Sequence, residues 1–329
     1  MSGVQQMTVI ETDAGSRLDR WFKRQFPHIA HGRVEKLLRT GQLRVDGKRA
    51  KGNLRLEPGQ VVRIPPLPEP TDEKTAPVVN DTDARLIREM VIYEDDEVIA
   101  LNKPAGLAVQ GGTNTTRHID GMLPALGEGC RLVHRLDRDT SGVLLVAKNA
   151  HSAKTIGRAF QARNAEKIYW GITNGVPKPN SGEIKGYMAK GVLDNRFGNK
   201  HAGKEVMEAV RHGADGAKHA RTLYHTLSQA GQRAAWVAMM PLTGRTHQLR
   251  LHMQLLGAPL AGDPKYMTDR EMPGGLEQRL HLHARSISIP REGREMLTVT
   301  AHLPKHMNAA FELLAFNRNE SDVDWDELR

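Results

Sequence analysis

The chain of 329 residues contains a single cysteine, Cys130, and no long run of apolar residues. One cysteine cannot form an internal disulfide, which excludes the disulfide-stapled frameworks of small secreted domains. No segment approaches the roughly 20 consecutive apolar residues that a membrane-spanning helix requires. The N-terminal stretch has no basic segment followed by an apolar one, so no signal peptide is expected. These absences predict a cytoplasmic protein that is not embedded in a membrane.

Acidic residues are also in short supply. Lysine and arginine together number 47, against 38 aspartates and glutamates, which gives a net charge of +9 and a pI near 9.7. This excess favours a polyanionic partner, either nucleic acid or an anionic membrane surface. The length is about twice that of a typical domain, and it predicts two domains or one large domain with an appendage.

The positive charge is concentrated in residues 15–64, which carry 13 lysines and arginines and four acidic residues. Two runs with helical spacing, a glycine stop at Gly41 and an Asp46-Gly47 hairpin turn predict a small ααβ module. Basic helix faces and a basic hairpin suit contact with a phosphate backbone, although a merely solvated surface is the alternative. The residues predicted to bind RNA here are Arg17, Arg33, Lys36, Arg39, Arg44 and Lys48.

The rest of the chain divides by composition. Residues 65–84 are rich in proline, aspartate and threonine and predict a semi-rigid linker. Residues 85–318 hold many strand-like runs, few helices and no regular βαβ alternation, which predicts an α+β domain around a mixed, largely antiparallel sheet. Residues 195–219, rich in glycine and histidine, predict either an RNA contact or a simple insertion. Residues 319–329 form an acidic tail that is expected to fray.

One stretch of the large domain has the features of a catalytic loop. It runs from His134 to Gly142 and crowds charged residues between two apolar strand-like runs. A polar loop anchored by core strands can hold side chains rigidly, as catalysis requires, although a salt-bridged turn is the alternative. Asp137 is the candidate reactive group, while His134, Arg138 and Asp139 are expected to support the loop.

The nine residues His134 to Gly142 resemble the signature of the RluA family of pseudouridine synthases. Three further matches occur in the order expected for that family, and the N-terminal module resembles the S4 RNA-binding domain. The supporting segments are 103–106, 166–169 and 244–250, the last of them continued by 262–266. The resemblance implies isomerisation of uridine to pseudouridine within RNA. Because this reaction redistributes bonds within one nucleotide, the resemblance implies neither a cofactor nor a metal.

By this resemblance Asp137 is the catalytic aspartate, and it either attacks the ribose C1′ or takes a proton from the sugar. Arg245 holds the family position of the cation that keeps this carboxylate ionised. Tyr169 matches the family tyrosine, which can stack on the uracil near the C5 proton that must leave. Arg135 matches the arginine used when the target uridine is flipped out of its stem.

The S4-like module followed by this catalytic domain resembles bacterial enzymes that act on large-subunit (23S) ribosomal RNA. Two alternatives stay open: a synthase acting on transfer RNA, and a non-catalytic S4-bearing factor for ribosome assembly. The joint presence of Asp137, Tyr169 and Arg245 argues against a decayed catalytic domain. We expect a monomer that needs no protein partner and does not bind membranes.

Overall fold

The computed structural model describes residues 3–29, 31–68, 79–112, 115–192, 205–319 and 321–328. The chain divides into two units, residues 1–76 and residues 77–329. No helix within the described ranges is long and apolar enough to cross a membrane.

The first unit packs two helices against a four-stranded antiparallel sheet of order β1-β4-β2-β3. Trp21 and Phe22 of the first helix are at most 1% exposed and form the centre of the core. Asp46 and Gly47, with φ of 48° and 74°, make the hairpin turn that the sequence predicts. The elements are β1 (Gln5–Thr8), α1 (Leu18–Gln25), α2 (His31–Arg39), β2 (Arg44–Val45), β3 (Lys48–Arg49) and β4 (Val61–Ile64).

The predicted linker, residues 65–84, includes residues at both ends that belong to the folded units. Leu67 is 6% exposed and packs into the core of the first unit. At the other end Asn80 caps helix α3 (Asp81–Glu89), and its side chain accepts the backbone N–H of the third helical residue. Asparagine and aspartate favour turns and helix N-caps alike, so composition alone hid this helix start. Residues 69–78 lie outside the described part of the chain.

The second unit is built on an 11-stranded sheet whose main path runs β11-β10-β12-β13-β9-β14-β8-β6-β5. Strand β15 pairs with β14, and β7 pairs with β8. The pairing of β14 with β8 is parallel and the others are antiparallel, which confirms the α+β prediction with a largely antiparallel sheet. The strands are β5 (Val91–Glu94), β6 (Val98–Lys103), β7 (Arg131–Leu132), β8 (Ser141–Ala147), β9 (Glu166–Asn174), β10 (Ser181–Val192), β11 (Glu205–Val210), β12 (Lys218–Ala230), β13 (Ala234–Pro241), β14 (Leu282–Arg291) and β15 (Arg294–Thr300).

Helices cover parts of both faces of this sheet. They are α4 (Ile119–Met122), α5 (Ala150–Gln161), α6 (Gln248–Leu255) and α7 (Lys305–Leu313). Strand β8 is buried along its whole length, with Leu144 and Val146 in one core cluster and Val143 and Leu145 in another. A strand covered on both faces needs a continuous apolar run rather than alternation, and this is the pattern in the sequence. The predicted buried strand that follows the charged loop is therefore confirmed.

For residues 177–220 the sequence predicts hairpins and a flexible insertion. Strands β10 and β11 pair antiparallel at the sheet edge, which confirms a hairpin, and residues 193–204 between them lie outside the description. The expectation for the C-terminal tail is wrong. The C-terminal tail, residues 319–329, was expected to fray, yet Val323 and Trp325 pack against the core around α7. Both apolar side chains can be buried while their acidic neighbours stay exposed, so net charge was a poor guide to packing here.

Two buried histidines form hydrogen bonds to strands of this sheet. His252 lies on α6 and contacts β12, and His283 lies on β14 and contacts β8. His252 is 3% exposed, with its Nδ1 2.9 Å from Thr222 Oγ1, and His283 is fully buried, with its Nδ1 2.9 Å from Ser141 Oγ. Burial lowers the pKa of each imidazole to about 4. Both histidines are therefore neutral in the folded protein at neutral pH.

We expect the free energy of unfolding to fall between pH 7 and pH 5. In the unfolded chain each histidine titrates near its ordinary pKa of about 6.5, so stability is full above that pH and declines as the pH drops toward 4. The loss by pH 5 should be roughly 2 kcal/mol per histidine, measured by urea denaturation followed by circular dichroism. His252→Gln should reduce the pH-dependent loss, whereas the same change at the exposed His151 should not. An equal loss in the His252 variant would contradict this account.

Candidate active site

A cavity of about 960 Å³ opens between the loop before β8, strand β9 and the turn that leads from β13 into α6. Its volume lies within the range of small-molecule sites. Arg135, Asp137, Tyr169 and Arg245 all border it, so the fold brings together the four residues predicted to act on the target nucleotide.

The catalytic loop, residues 133–140, connects β7 with β8 and is anchored at its end by a close approach of backbones. Gly142 has φ of 110°, and a Cβ built there would lie 2.2 Å from the carbonyl oxygen of Ala284 in β14. Only glycine therefore allows β8 to start beside β14 at this point. Leu136, which is 6% exposed, fixes the middle of the loop in the core.

Lys103 holds the same loop through hydrogen bonds, and these contacts are called the tether. Its side chain is fully buried, and Nζ donates to the carbonyl oxygens of Pro104 (2.8 Å), Leu107 (2.9 Å) and Arg138 (3.0 Å). Burial lowers the pKa of Lys103 to about 7. Three carbonyl acceptors nevertheless match the three N–H donors that only the ammonium form supplies. The tether holds the backbone of the residue that follows Asp137.

Asp137 is enclosed by protein but reaches the cavity wall. Burial raises the pKa of its carboxyl, and the charges of Arg250 and Arg135 oppose that rise. Arg245, the predicted stabilising cation, also borders the cavity, and its Nε donates to the His219 carbonyl oxygen at 3.0 Å. Its role toward Asp137 stays a prediction. The two arginines belong to one motif, and only their placement in the fold distinguishes them.

Arg250 is a buried cation of this cavity to which the sequence assigned no role. It lies on the buried face of α6, and its Nε and Nη2 each donate to a carboxylate oxygen of Asp263 at 2.7 Å. Its guanidinium also lies 5.1 Å from the ring centre of Tyr266. The sequence does indicate that Arg250 is unusual, because it lies between Leu249 and Leu251 in a predicted helix. An arginine is buried in such a place only when it is paired with an acidic group.

Tyr169 lies on β9, opposite Ala284 of β14. Burial raises the pKa of its phenol, and the charge of Asp137 raises it further. The phenol is therefore protonated at neutral pH and is a poor base, whereas its ring remains suited to stacking on a planar base.

The remaining charged residues of the loop have supporting contacts. His134 accepts the backbone N–H of Leu145 at 2.8 Å and stacks on Phe160 at 4.7 Å between ring centres. Burial lowers its pKa to about 3, so the ring is neutral. Arg138 and Asp139 lie 3.8 Å apart at the surface. Arg135 differs from them, because it is exposed and its Nη2 donates to Thr246 Oγ1 at 3.1 Å, across the cavity mouth.

The cavity wall is positively charged. Six lysines and arginines border it, against two acidic residues, Asp137 and Glu166. One of the six is Arg221 of β12, which lies on the same sheet face as His219, two residues before it. His219 is paired with Tyr187 of the neighbouring strand β10. The ring of Tyr187 lies 5.2 Å from that of His219 and 4.7 Å from that of His212. A basic and aromatic surface therefore continues outward from the cavity, over the described part of the unassigned stretch 195–219; residues 193–204 lie outside the description.

The first unit carries its own concave basic surface, of about 580 Å³. Among the predicted RNA-binding residues, Arg17, Lys36 and Arg39 border it. Arg33 is exposed on the same helix, whereas Arg44 and Lys48 lie on the hairpin strands β2 and β3. The Nε of Arg44 donates to the Gly41 carbonyl oxygen at 2.9 Å, so part of its donor capacity is used within the fold.

Comparison with known proteins gives one consistent result. Residues 97–255 match the family model described as RNA pseudouridylate synthase. The ribosomal large subunit pseudouridine synthase C of Rickettsia bellii is 35% identical over 309 residues, 91% of this chain and 98% of that protein. The Vibrio vulnificus protein of the same name is 32% identical over 96% of this chain and 98% of its own. Human RNA pseudouridylate synthase domain containing 4 superposes with a TM-score of 0.59 at 29% identity, covering 70% of this chain and 95% of that one.

We expect Lys103→Met to loosen the catalytic loop. The change removes the Nζ donor from three carbonyl oxygens, which should lower the free energy of unfolding by about 1–3 kcal/mol. Amide hydrogen exchange should accelerate at Gly106, whose N–H donates to the Arg138 oxygen at 2.8 Å. The control is Lys148→Met, because Lys148 pairs with Glu94 at the surface. Loss of a surface ion pair should change the free energy of unfolding much less. Unchanged exchange at Gly106 would show that the tether does not hold the loop.

Proposed function

The chain belongs to the RNA pseudouridylate synthase family and isomerises uridine to pseudouridine, and we propose that its substrate is large-subunit ribosomal RNA and that Asp137 is the reacting carboxylate. The observation that carries the proposal is the position of Asp137 on the wall of a cationic cavity that Tyr169 and the paired Arg250 also border. In this reaction the uracil leaves C1′ through N1, turns, and is rejoined through C5.

Asp137 must be ionised for either of its two candidate roles, attack on C1′ or removal of a sugar proton. Burial disfavours the charged form, and the charges of Arg250 and Arg135 support it. Because Arg250 is already bound by Asp263, it supplies charge without occupying the oxygens of Asp137. The carboxylate is thus available to the ribose of a bound nucleotide.

The uracil is proposed to stack on the ring of Tyr169. A protonated phenol cannot readily take the C5 proton, so its contribution is to hold the base while it turns. Arg135 is proposed to occupy the place that the flipped uridine leaves in its stem. Flipping costs a few kcal/mol of unstacking, and a planar guanidinium at the cavity mouth can partly replace the lost stacking.

Ribosomal RNA is favoured as the substrate by the names of the relatives, which cover nearly the whole chain. The first unit is proposed to be an S4-like RNA-binding domain whose basic surface contacts phosphates. Arg17, Arg33, Lys36, Arg39, Arg44 and Lys48 are its proposed contacts, with α2 contributing three of them. Most of these side chains are exposed, as phosphate contacts require.

Pseudouridine mapping of total RNA tests both the substrate and the role of Asp137. Cells that lack this protein should lose pseudouridine at specific large-subunit ribosomal positions, and the wild-type chain should restore them. Asp137→Asn should restore none, because an amide can neither attack C1′ nor accept the sugar proton. The matched control is Asp139→Asn, two residues away and partly exposed, which should restore all of them. Loss in transfer RNA alone would overturn the ribosomal substrate, and full restoration by Asp137→Asn would remove its catalytic role.

The first unit is tested by the salt dependence of RNA affinity. The triple change Arg33→Ala, Lys36→Ala, Arg39→Ala removes three charges from α2 of the full-length chain. Each lost phosphate contact should flatten the slope of log K against log salt by about 0.7 to 0.9. Glu35→Gln on the same helix is the control of opposite sign and should tighten binding slightly. If the triple variant keeps the wild-type slope, this surface does not contact RNA.

A further inference from the structure

His247 occupies an unusual position at the start of α6. Its backbone is left-handed, with φ of 53° and ψ of 18°, a conformation that costs a non-glycine residue about 1 kcal/mol or more. The side chain of the next residue, Gln248, holds this turn: its Oε1 accepts from Thr243 Oγ1 (2.7 Å) and from Arg245 N (3.1 Å). The turn directs the imidazole into the wall of the cavity that contains Asp137.

A chain of hydrogen bonds leads to one nitrogen of this imidazole. The backbone N–H of Met207 donates to Tyr266 Oη at 2.8 Å, and Tyr266 Oη lies 3.0 Å from His247 Nδ1. The phenol oxygen accepts from Met207, and its single O–H can donate to Nδ1. Tyr266 is 2% exposed, and Arg250 lies over its ring. Donation from Tyr266 makes Nδ1 the acceptor and leaves the proton of the neutral ring on Nε2.

The Nε2–H group has no partner among the described residues, and His247 is partly exposed to the cavity. Burial lowers the pKa of this imidazole to about 3, and the charges of Arg250, Lys265 and Arg135 lower it too. The ring is therefore neutral at working pH. The arginines around the cavity can form charge-assisted hydrogen bonds with phosphates. The neutral N–H of His247 can instead donate to an uncharged acceptor such as a carbonyl oxygen.

We propose that His247 is a substrate-positioning residue that donates its Nε2–H to a carbonyl oxygen of the target uracil, with Tyr266 holding it in the required tautomer. The inference rests on the proposed function, because it needs a uridine in this cavity. A directed donor would hold the ring before N1 leaves C1′ and would guide its rotation. It also gives Tyr266 a role beyond packing. Removal of its hydroxyl should let the His247 proton move to either ring nitrogen, while no contact with the substrate is lost.

Two measurements on the full-length protein test this proposal. The first needs no substrate: a long-range ¹H–¹⁵N spectrum of labelled protein at pH 7 should show His247 protonated at Nε2 and bare at Nδ1. In Tyr266→Phe the two tautomers should mix. A wild-type ring protonated at Nδ1 would overturn the proposal, whatever the kinetics show.

The second measurement is kcat/KM on a transcript that contains a mapped target uridine. His247→Ala should lose about 10- to 100-fold, as for one hydrogen bond to a reacting group, and Tyr266→Phe should lose less. The control is His302→Ala, because His302 is exposed and does not border the cavity. Wild-type-like turnover by His247→Ala overturns this inference alone, whereas an inactive wild type would instead refute the proposed substrate.

Sulfur-substituted targets identify the acceptor. Transcripts with 2-thiouridine or 4-thiouridine at the target carry a weak acceptor at one carbonyl position. One of the two should slow the wild type and leave His247→Ala unaffected, because the bond is already absent in that variant. If both slow the wild type and the variant by the same factor, the donor does not bind a uracil carbonyl, and the proposal fails.

Discussion

The active-site loop depends on one buried ammonium group. Lys103 joins the end of β6, the segment after it and the catalytic loop through three carbonyl oxygens. An ammonium has three donors and no acceptor, so these contacts fix its position and, through it, the backbone at Arg138. On the other side of Asp137, Leu136 is held in the core. Asp137 thus lies between two residues that are fixed by their own contacts.

The sheet sets the relation between that loop and Tyr169. Gly142, Ala284 and Tyr169 lie side by side on β8, β14 and β9, in a register defined by backbone hydrogen bonds. Glycine at position 142 allows the close approach at the first of these contacts. A slip of one residue would turn Tyr169 to the opposite sheet face, away from Asp137. The position of Tyr169 relative to the loop is therefore set by the register of the sheet.

Local features of the sequence predicted much of this structure, and long-range contacts account for the failures. The Asp46-Gly47 hairpin and the buried strand β8 follow from turn chemistry and apolar pattern. Three of the segments that carry the family resemblance, 134–142, 166–169 and 244–250, contribute residues to one cavity. The motifs did not single out Arg250, because its pairing partner Asp263 lies 13 residues further along the chain. The three acceptors of Lys103 were hidden for the same reason: they are backbone atoms with no sequence signature.

The arrangement around Arg250 bears on the proposed role of Asp137, a partly buried carboxyl. An arginine bound directly to Asp137 would stabilise its charge but would occupy its oxygens. Here Asp263 accepts from Nε and Nη2 of the guanidinium at 2.7 Å. The Arg250–Asp263 pair is neutral overall, so its burial is tolerable. Burial raises the pKa of the Asp137 carboxyl and the charge of Arg250 opposes that rise, so the two effects act on this carboxyl in opposite directions.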